Sequence, residues 1–190
     1  MLLMIAGLVL FLGNHSVSIY ALPLRDRLAA SSELGFKAVY GIISLVGIVL
    51  IAKGYAEARA TTTILYLPPT GLRHLTALLM LPVFVFFVAP YFPGRIKTTL
   101  KHPQLVAVKL WAVAHLLVNG TVADLVLFGS FLAWAVIDRI SLKRRPERAV
   151  PGLAPAAGRN DALAIVVGLA LYGLFAMVLH QRWIGVAPFG

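Results

Sequence analysis

The sequence predicts an all-α fold, a polytopic membrane bundle of about six transmembrane helices. Of its 190 residues, 60% are hydrophobic and only 13% are charged, and the mean hydropathy is +0.89. Soluble domains are typically about half apolar and about a quarter charged. Several apolar runs reach the roughly 20 residues that a helix needs to cross the hydrocarbon layer. These runs are continuous and do not alternate, which disfavours a β-barrel. We therefore expect one transmembrane domain over residues 1–190, in contact with the lipid bilayer.

Six apolar segments predict the helices, and proline, serine or turn residues mark several of their ends. Pro23 ends the first segment, and Ser31-Ser32 start the second. Pro82 is expected to kink the third. On the fifth, Gly129 and Ala133 form a small-residue face that predicts close helix packing. The predicted segments are about Leu2–Leu22, Leu34–Ala52, Leu72–Phe92, 103–119, 122–137 and Ala162–Trp183.

The fourth and fifth predicted helices form a tight antiparallel hairpin. Pro103 suits the first turn of the fourth helix, and Asn119-Gly120 is a turn pair. Thr121 with Asp124 three residues later predicts a capping box for the fifth helix. That cap is sufficient to account for Asp124 in this hydrophobic context.

The net charge of +10 comes from 17 Lys and Arg against 7 Asp and Glu. Because the basic residues lie between apolar runs, as in cytoplasmic loops, no nucleic-acid partner is predicted. An outside N-terminus puts twelve basic residues on the inner side and four on the outer, which predicts an N-out, C-out topology. The loop 138–161, basic and rich in Pro, Gly and Ala, is expected to be cytoplasmic and mobile. The twelve are Arg25, Arg27, Lys37, Arg95, Lys97, Lys101, Arg139, Lys143, Arg144, Arg145, Arg148 and Arg159; the four are Lys53, Arg59, Arg73 and Arg182.

Two histidines lie within predicted helices, where polar groups are costly. His15 is part of a polar break, Gly13-Asn14-His15-Ser16, and His115 has Trp111 and Asn119 one turn away on either side. A neutral imidazole can ligate haem iron or another transition metal. Alternatively, each histidine stiffens the bundle by hydrogen bonding across helices. Two buried imidazoles on different helices could also sandwich one flat cofactor.

The other histidines lie near predicted helix ends. His102, in the Lys101-His102-Pro103 step, is either interfacial or an orienting group for an anion such as a carboxylate or propionate. Lys109, one heptad further on, could snorkel or pair with an acidic group. His74 and His180 are expected to be interfacial. Since the chain has no cysteine, disulfides, thiolate ligands and a cysteine nucleophile are excluded.

Several stretches resemble the NnrU family of bacterial membrane proteins. They are Lys101-His102-Pro103-Gln104-Leu105, the Lys109–Gly120 run KLWAVAHLLVNG, the Leu127–Ala135 run LFGSFLAWA, Gly13-Asn14-His15-Ser16 and Lys143-Arg144-Arg145. That resemblance implies a multi-pass protein of the bacterial inner membrane. The family is named for an association with nitrite and nitric oxide reduction. It is related to zeta-carotene isomerase, which looks like a haem b enzyme with histidine ligands.

The resemblance implies a haem b site with named residues. His15 and His115 match the axial ligands of the iron, and His102 matches a further motif histidine. His102 and Lys109 are then supporting or propionate-side groups, and Asn119 is a further cofactor-binding residue. A bis-histidine iron has no open position, so catalysis needs one ligand to leave. Otherwise the centre transfers electrons or senses a ligand.

These residues lead to one leading function and two alternatives. The leading hypothesis is a haem b protein in nitrogen-oxide metabolism or in the haem-dependent isomerisation of a lipophilic substrate. The isomerase branch carries a cysteine where this chain has Ala112, so thiolate exchange is excluded. One alternative is a membrane methyltransferase of the isoprenylcysteine type, using S-adenosylmethionine near His102. The other is a cofactor-free scaffold or assembly factor. The oligomeric state is left open.

Overall fold

The computed structural model describes residues 1–145 and 157–189, and these residues form helices and connections without a β-strand. Among these residues, Ile64 and Thr121 form an isolated antiparallel bridge. The helices are α1 (Leu2–Tyr20), α2 (Leu22–Ser31), α3 (Glu33–Thr61), α4 (Leu72–Val88, continued by a 3₁₀ turn Ala89–Tyr91), α5 (Arg95–Leu100), α6 (Pro103–Val118), α7 (Val122–Lys143), α8 (Gly158–Leu174, continued by a π-helical turn Phe175–Leu179) and α9 (His180–Ile184).

Five helical segments among the described residues are long and apolar enough to cross a membrane. They are α1, α3, α4 with its 3₁₀ turn, α7, and the continuous segment from α8 to α9. The remaining predicted helix, the fourth, is the shorter α6, whose 16 residues extend about 24 Å at a rise of about 1.5 Å per residue. The prediction of an all-α, multi-pass membrane bundle is therefore confirmed.

Two predicted connections contain more helix than expected. Pro23 does not end the helical region, because the short α2 starts at Leu22 with this proline in its first turn. The second predicted helix, α3, continues nine residues past its expected end at Ala52. The added turns contain alanine, glutamate and arginine, which favour helix even where the segment becomes polar. At the other end of α3, Ser32 is the N-cap, and its Oγ accepts a hydrogen bond from the Gly35 N–H at 3.1 Å.

The predicted loop 138–161 is shorter in the structure. Helix α7 runs to Lys143, and α8 starts at Gly158. No glycine or proline interrupts the chain between Asp138 and Lys143, so the helix continues into the basic segment. Residues 146–156 of this loop lie outside the described residues, and its predicted mobility stays a prediction.

The chain forms two compact units. The first comprises Met1–Tyr66 and Thr121–Ser141, and the second comprises Leu67–Gly120 and the described part of Leu142–Gly190. Within the first unit, α1 and α3 approach closely at glycines. A Cβ added at Gly7 would lie 2.6 Å from the backbone nitrogen of Ile51, and one at Gly47 would lie 2.9 Å from the Cβ of Phe11. Only glycine allows these two backbones to come so near. The predicted single domain stays a prediction.

In the second unit, α4 packs against both α6 and α8. A Cβ at Gly168 of α8 would lie 2.5 Å from the Cα of Val85, so this contact also requires glycine. The side chain of Thr76 donates to the Ala114 carbonyl of α6 at 3.0 Å. The next residue of α4, Ala77, accepts a hydrogen bond from the Tyr172 hydroxyl of α8 at 3.2 Å.

The small-residue face predicted on the fifth helix is not where the helices approach most closely. A Cβ at Gly129 would meet only a leucine methyl of its own helix, Leu125 Cδ1, at 3.8 Å, and Ala133 is exposed. A small residue permits close packing but does not enforce it, and the partner helix decides which small face is used.

Candidate functional site

His115 lies in the last turn of α6 and is partly exposed. Its Nδ1 is 2.8 Å from the carbonyl oxygen of Trp111, one turn earlier. A carbonyl can only accept, so Nδ1 carries the proton, and the lone pair of the neutral ring is on Nε2. The Trp111 ring lies beside the imidazole, with 5.3 Å between the centroids. The imidazole is therefore oriented as metal-ligating histidines usually are, with one nitrogen bound to a backbone acceptor.

The three supporting residues of the predicted site lie at different levels of α6. Asn119 is the C-cap, and its Nδ2 donates to the His115 carbonyl at 2.8 Å, so it holds the backbone of His115. His102 is the N-cap of the same helix, about 20 Å from His115 at about 1.5 Å per residue. Lys109 lies about 9 Å before His115 along the axis and on a different face. Asn119 thus supports His115 directly, whereas His102 and Lys109 do not lie next to it on α6.

Among the described residues, the ring of His180 lies beside the ring of His115. The two ring centroids are 6.4 Å apart, with 24° between the ring planes. His180 is the first residue of α9, and its Nδ1 lies 2.7 Å from the Val186 carbonyl oxygen. The sequence predicts only an interfacial role for His180, because no local pattern links residues 115 and 180.

His15 lies in α1 and belongs to the first unit, whereas His115 belongs to the second. Its Nδ1 is 2.7 Å from the Phe11 carbonyl oxygen, one turn earlier. The ring stacks on Phe11 at 4.1 Å between centroids, and the rings of Tyr40 and Trp134 lie 5.0 and 5.8 Å away. His15 thus has the same Nδ1-protonated form as His115, within an aromatic cluster. The predicted sandwich of one cofactor between His15 and His115 stays a prediction.

Two residues with polar side-chain atoms, Asn14 and Trp134, lie next to His15. Asn14 donates from Nδ2 to the Tyr40 carbonyl at 3.0 Å and to the Ser44 hydroxyl at 2.9 Å, which ties α1 to α3. The indole nitrogen of Trp134 is buried and has no hydrogen-bond partner among the described residues. An unmade hydrogen bond of a buried donor costs about 1–3 kcal/mol. The arrangement fits a bound group that brings an acceptor, such as a carboxylate, close to Trp134.

Asp124 has a second role that the capping motif did not indicate. As predicted, its carboxylate accepts from the Thr121 backbone N–H at 2.8 Å and from its hydroxyl at 2.6 Å. The other carboxylate oxygen accepts from the Tyr55 hydroxyl at 2.6 Å. Tyr66 lies outside the membrane-spanning segments. Its own partial burial and the negative charge of Asp124 both raise the pKa of its hydroxyl. The buried Asp124 therefore joins α7 to α3, and we assign it to the scaffold.

The donor set fits haem better than a metal ion held by protein ligands alone. Within residues 1–145 and 157–189, no three His, Asp or Glu side chains cluster as they would around a metal ion. A structural zinc site usually takes four protein ligands. Haem iron takes four nitrogens from its porphyrin and needs only axial ligands from the protein. Single or paired imidazoles with Nε2 as the ligating atom meet that requirement.

A sequence model of the family described as NnrU protein matches residues 3–188, nearly the whole chain. The chain belongs to the NnrU family. Comparison with curated proteins and with solved structures found no match. Membership confirms the resemblance inferred from the helix α6 and α7 motifs, and it agrees with the five candidate membrane spans. This NnrU protein is therefore a multi-pass membrane protein.

Proposed function

We propose that this NnrU protein binds haem b in the membrane and that His115 is an axial ligand of the iron. The observation that carries the proposal is the hydrogen bond from His115 Nδ1 to the Trp111 carbonyl at 2.8 Å. It places the lone pair on Nε2 and fixes the ring at the end of α6. Bound haem supplies a redox-active iron that can exchange electrons or bind a small ligand.

The rest of the chain positions this imidazole. Asn119 binds the His115 carbonyl, and Thr76 binds the carbonyl of Ala114, one residue earlier. Both bonds fix the backbone of α6 where the ligand projects. His15 is the second axial ligand that the sequence predicts, and Trp134 beside it offers a donor for a propionate. The supporting or propionate-side roles of His102 and Lys109 stay predictions, because His102 lies about 20 Å and Lys109 about 9 Å from His115 along α6.

The process that we propose is nitrogen-oxide metabolism in the bacterial inner membrane. Family membership supports this reading, because the NnrU family is named for its association with nitrite and nitric oxide reduction. Isomerisation of a lipophilic substrate remains the other haem-dependent reaction to test. It requires an axial ligand to leave, and in this chain that ligand has to be an imidazole, since there is no cysteine.

The test is an absorption spectrum of the protein purified in detergent from haem-replete cells. We expect a Soret band in the wild type and a band weakened at least tenfold, relative to protein, in His115→Ala. The matched control is His74→Ala, an exposed histidine of α4 in the same unit, which should retain the wild-type spectrum. Equal haem content in the three proteins would exclude His115 as a ligand.

A second candidate function rests on the backbone at the Lys101-His102-Pro103 step. Lys101 has φ 60° and ψ −49°, a conformation that non-glycine residues rarely adopt and that clusters at functional sites. This is the step shared with membrane methyltransferases that use S-adenosylmethionine. Calorimetry with S-adenosylmethionine tests the alternative, which predicts saturable binding that His102→Ala abolishes. Absence of heat in the wild type would dismiss it.

A further inference from the structure

The two imidazoles of His115 and His180 lie together in the second unit. Their ring centroids are 6.4 Å apart, and the ring planes differ by 24°. They come from α6 and α9, 65 residues apart in sequence. Two imidazoles from distant parts of the chain therefore lie side by side within one unit.

Both rings have the same orientation relative to the backbone. Nδ1 of His115 lies 2.8 Å from the Trp111 carbonyl oxygen, and Nδ1 of His180 lies 2.7 Å from the Val186 carbonyl oxygen. Each Nδ1 must therefore donate, and each neutral ring carries its lone pair on Nε2. Both histidines are thus in the tautomer that ligates metals through Nε2.

The chain around His180 contains two local features that set the position of its ring. The π-helical turn Phe175–Leu179 directly precedes it, and such turns occur frequently at functional sites. After α9, Gly185 adopts φ 78°, which glycine does at little cost. The chain then turns back, and the Val186 carbonyl reaches the imidazole. The ring of Phe175 lies edge-on to His180, with 5.9 Å between centroids.

We propose that His115 and His180 together bind one transition-metal centre through their Nε2 atoms. Two metal–nitrogen bonds of about 2.0–2.1 Å on opposite sides of one metal, with the imidazole rings behind them, span about 6 Å between ring centres, close to the observed 6.4 Å. Imidazole suits iron, copper, nickel and zinc. The centre is either the haem iron or a free divalent ion whose remaining positions are filled by water, and the two sources share the same bis-imidazole chemistry.

The haem form of this inference rests on the proposed function, and the free-ion form does not. In the haem form, His180 takes the axial position that the sequence predicts for His15. The two assignments therefore give opposite expectations for His15→Ala and His180→Ala. His115 is a ligand in both.

The first arm uses full-length protein purified from haem-replete cells, with His15→Ala, His115→Ala and His180→Ala beside the control His74→Ala. We expect His180→Ala to change the Soret band from a six-coordinate to a five-coordinate form, and added imidazole to restore the wild-type band. His74→Ala should match the wild type, and a five-coordinate band in His15→Ala but not in His180→Ala would give the second axial position to His15. Imidazole rescue distinguishes a lost ligand from a misfolded variant.

The second arm uses protein from cells grown without a haem supply and titrates it with Ni²⁺ by calorimetry. We expect one Ni²⁺ per chain in the wild type, with at least a tenfold loss of affinity in His115→Ala and in His180→Ala. His74→Ala should bind Ni²⁺ as the wild type does. Thermal unfolding of each variant establishes that it is folded.

The outcomes separate this inference from the proposed function. Ni²⁺ binding that needs both histidines, together with no Soret band in the wild type from haem-replete cells, supports the pair and overturns the haem proposal. A Soret band that needs His115 and His15 but not His180, with Ni²⁺ binding unaffected by His180→Ala, overturns the pair and leaves the haem proposal standing. If His180→Ala matches His74→Ala in both arms, the pair is not a metal site.

Discussion

At the residue scale, Asp124 connects three polar groups inside an apolar unit. Its carboxylate accepts from the Tyr55 hydroxyl at 2.6 Å and from the hydroxyl and N–H of Thr121 at 2.6 and 2.8 Å. Asp124→Asn presents an amide N–H₂ to at least one of these donors, so we expect a loss of about 1–3 kcal/mol in the free energy of unfolding. Denaturant unfolding in detergent, followed by circular dichroism, measures it.

The matched control for Asp124 is Glu33→Gln, which removes an exposed carboxylate paired with Lys37 at 2.6 Å. Exposed ion pairs contribute little to stability, so this variant should unfold as the wild type does. Tyr55→Phe combined with Asp124→Asn completes a double-mutant cycle, with an expected coupling of about 1 kcal/mol. If Asp124→Asn and Glu33→Gln unfold alike, the carboxylate does not join the two helices.

The capping role of Asp124 was predictable from sequence and its tie to Tyr55 was not. A capping box is read within four residues, whereas Tyr55 lies 69 residues away. The same limit applies to His180 beside His115 and to Asp161, whose carboxylate accepts from the Arg95 N–H at 2.8 Å. Long-range pairs depend on which helix faces meet, and periodicity within one helix does not contain that information.

At the element scale, the contact between α4 and α8 depends on one glycine. A Cβ at Gly168 would lie 2.5 Å from the Cα of Val85, whereas one at Gly173 of the same helix would meet nothing within 4 Å. We expect Gly168→Ala to destabilise the protein by about 1–3 kcal/mol through overpacking. Gly173→Ala should leave stability equal or raise it by up to about 1 kcal/mol, because alanine favours helix. Thermal unfolding midpoints compare the two, and equal midpoints would show that α8 does not pack through Gly168.

The helices themselves were largely predictable, because the length of an apolar run and the residues that start or end a helix are local features of the sequence. Helix α6 begins at Pro103 and ends before Asn119, as expected. The errors lie where a polar segment keeps its helical preference, as in α2 and at the end of α3. Hydropathy marks where a helix can leave the hydrocarbon layer, and backbone propensity decides where it ends.

At the scale of the whole molecule, the testable prediction is topology. The chain has no cysteine, so single-cysteine variants of the natural sequence report position without background labelling. The excess of basic residues on one side predicts that Ala187→Cys lies outside and Thr99→Cys lies inside; both positions are exposed. A membrane-impermeant maleimide should label Ala187→Cys in intact cells and Thr99→Cys only after permeabilisation. The reverse pattern would contradict the N-out, C-out topology.

The central claim at this scale is that the helical bundle holds one haem b. The most direct measurement is the haem content per chain, from the pyridine haemochrome spectrum of the full-length protein purified from haem-replete cells. We predict one haem b per chain, with His115→Ala losing at least nine-tenths of it. A colourless wild-type protein, with no iron by elemental analysis, would contradict the account.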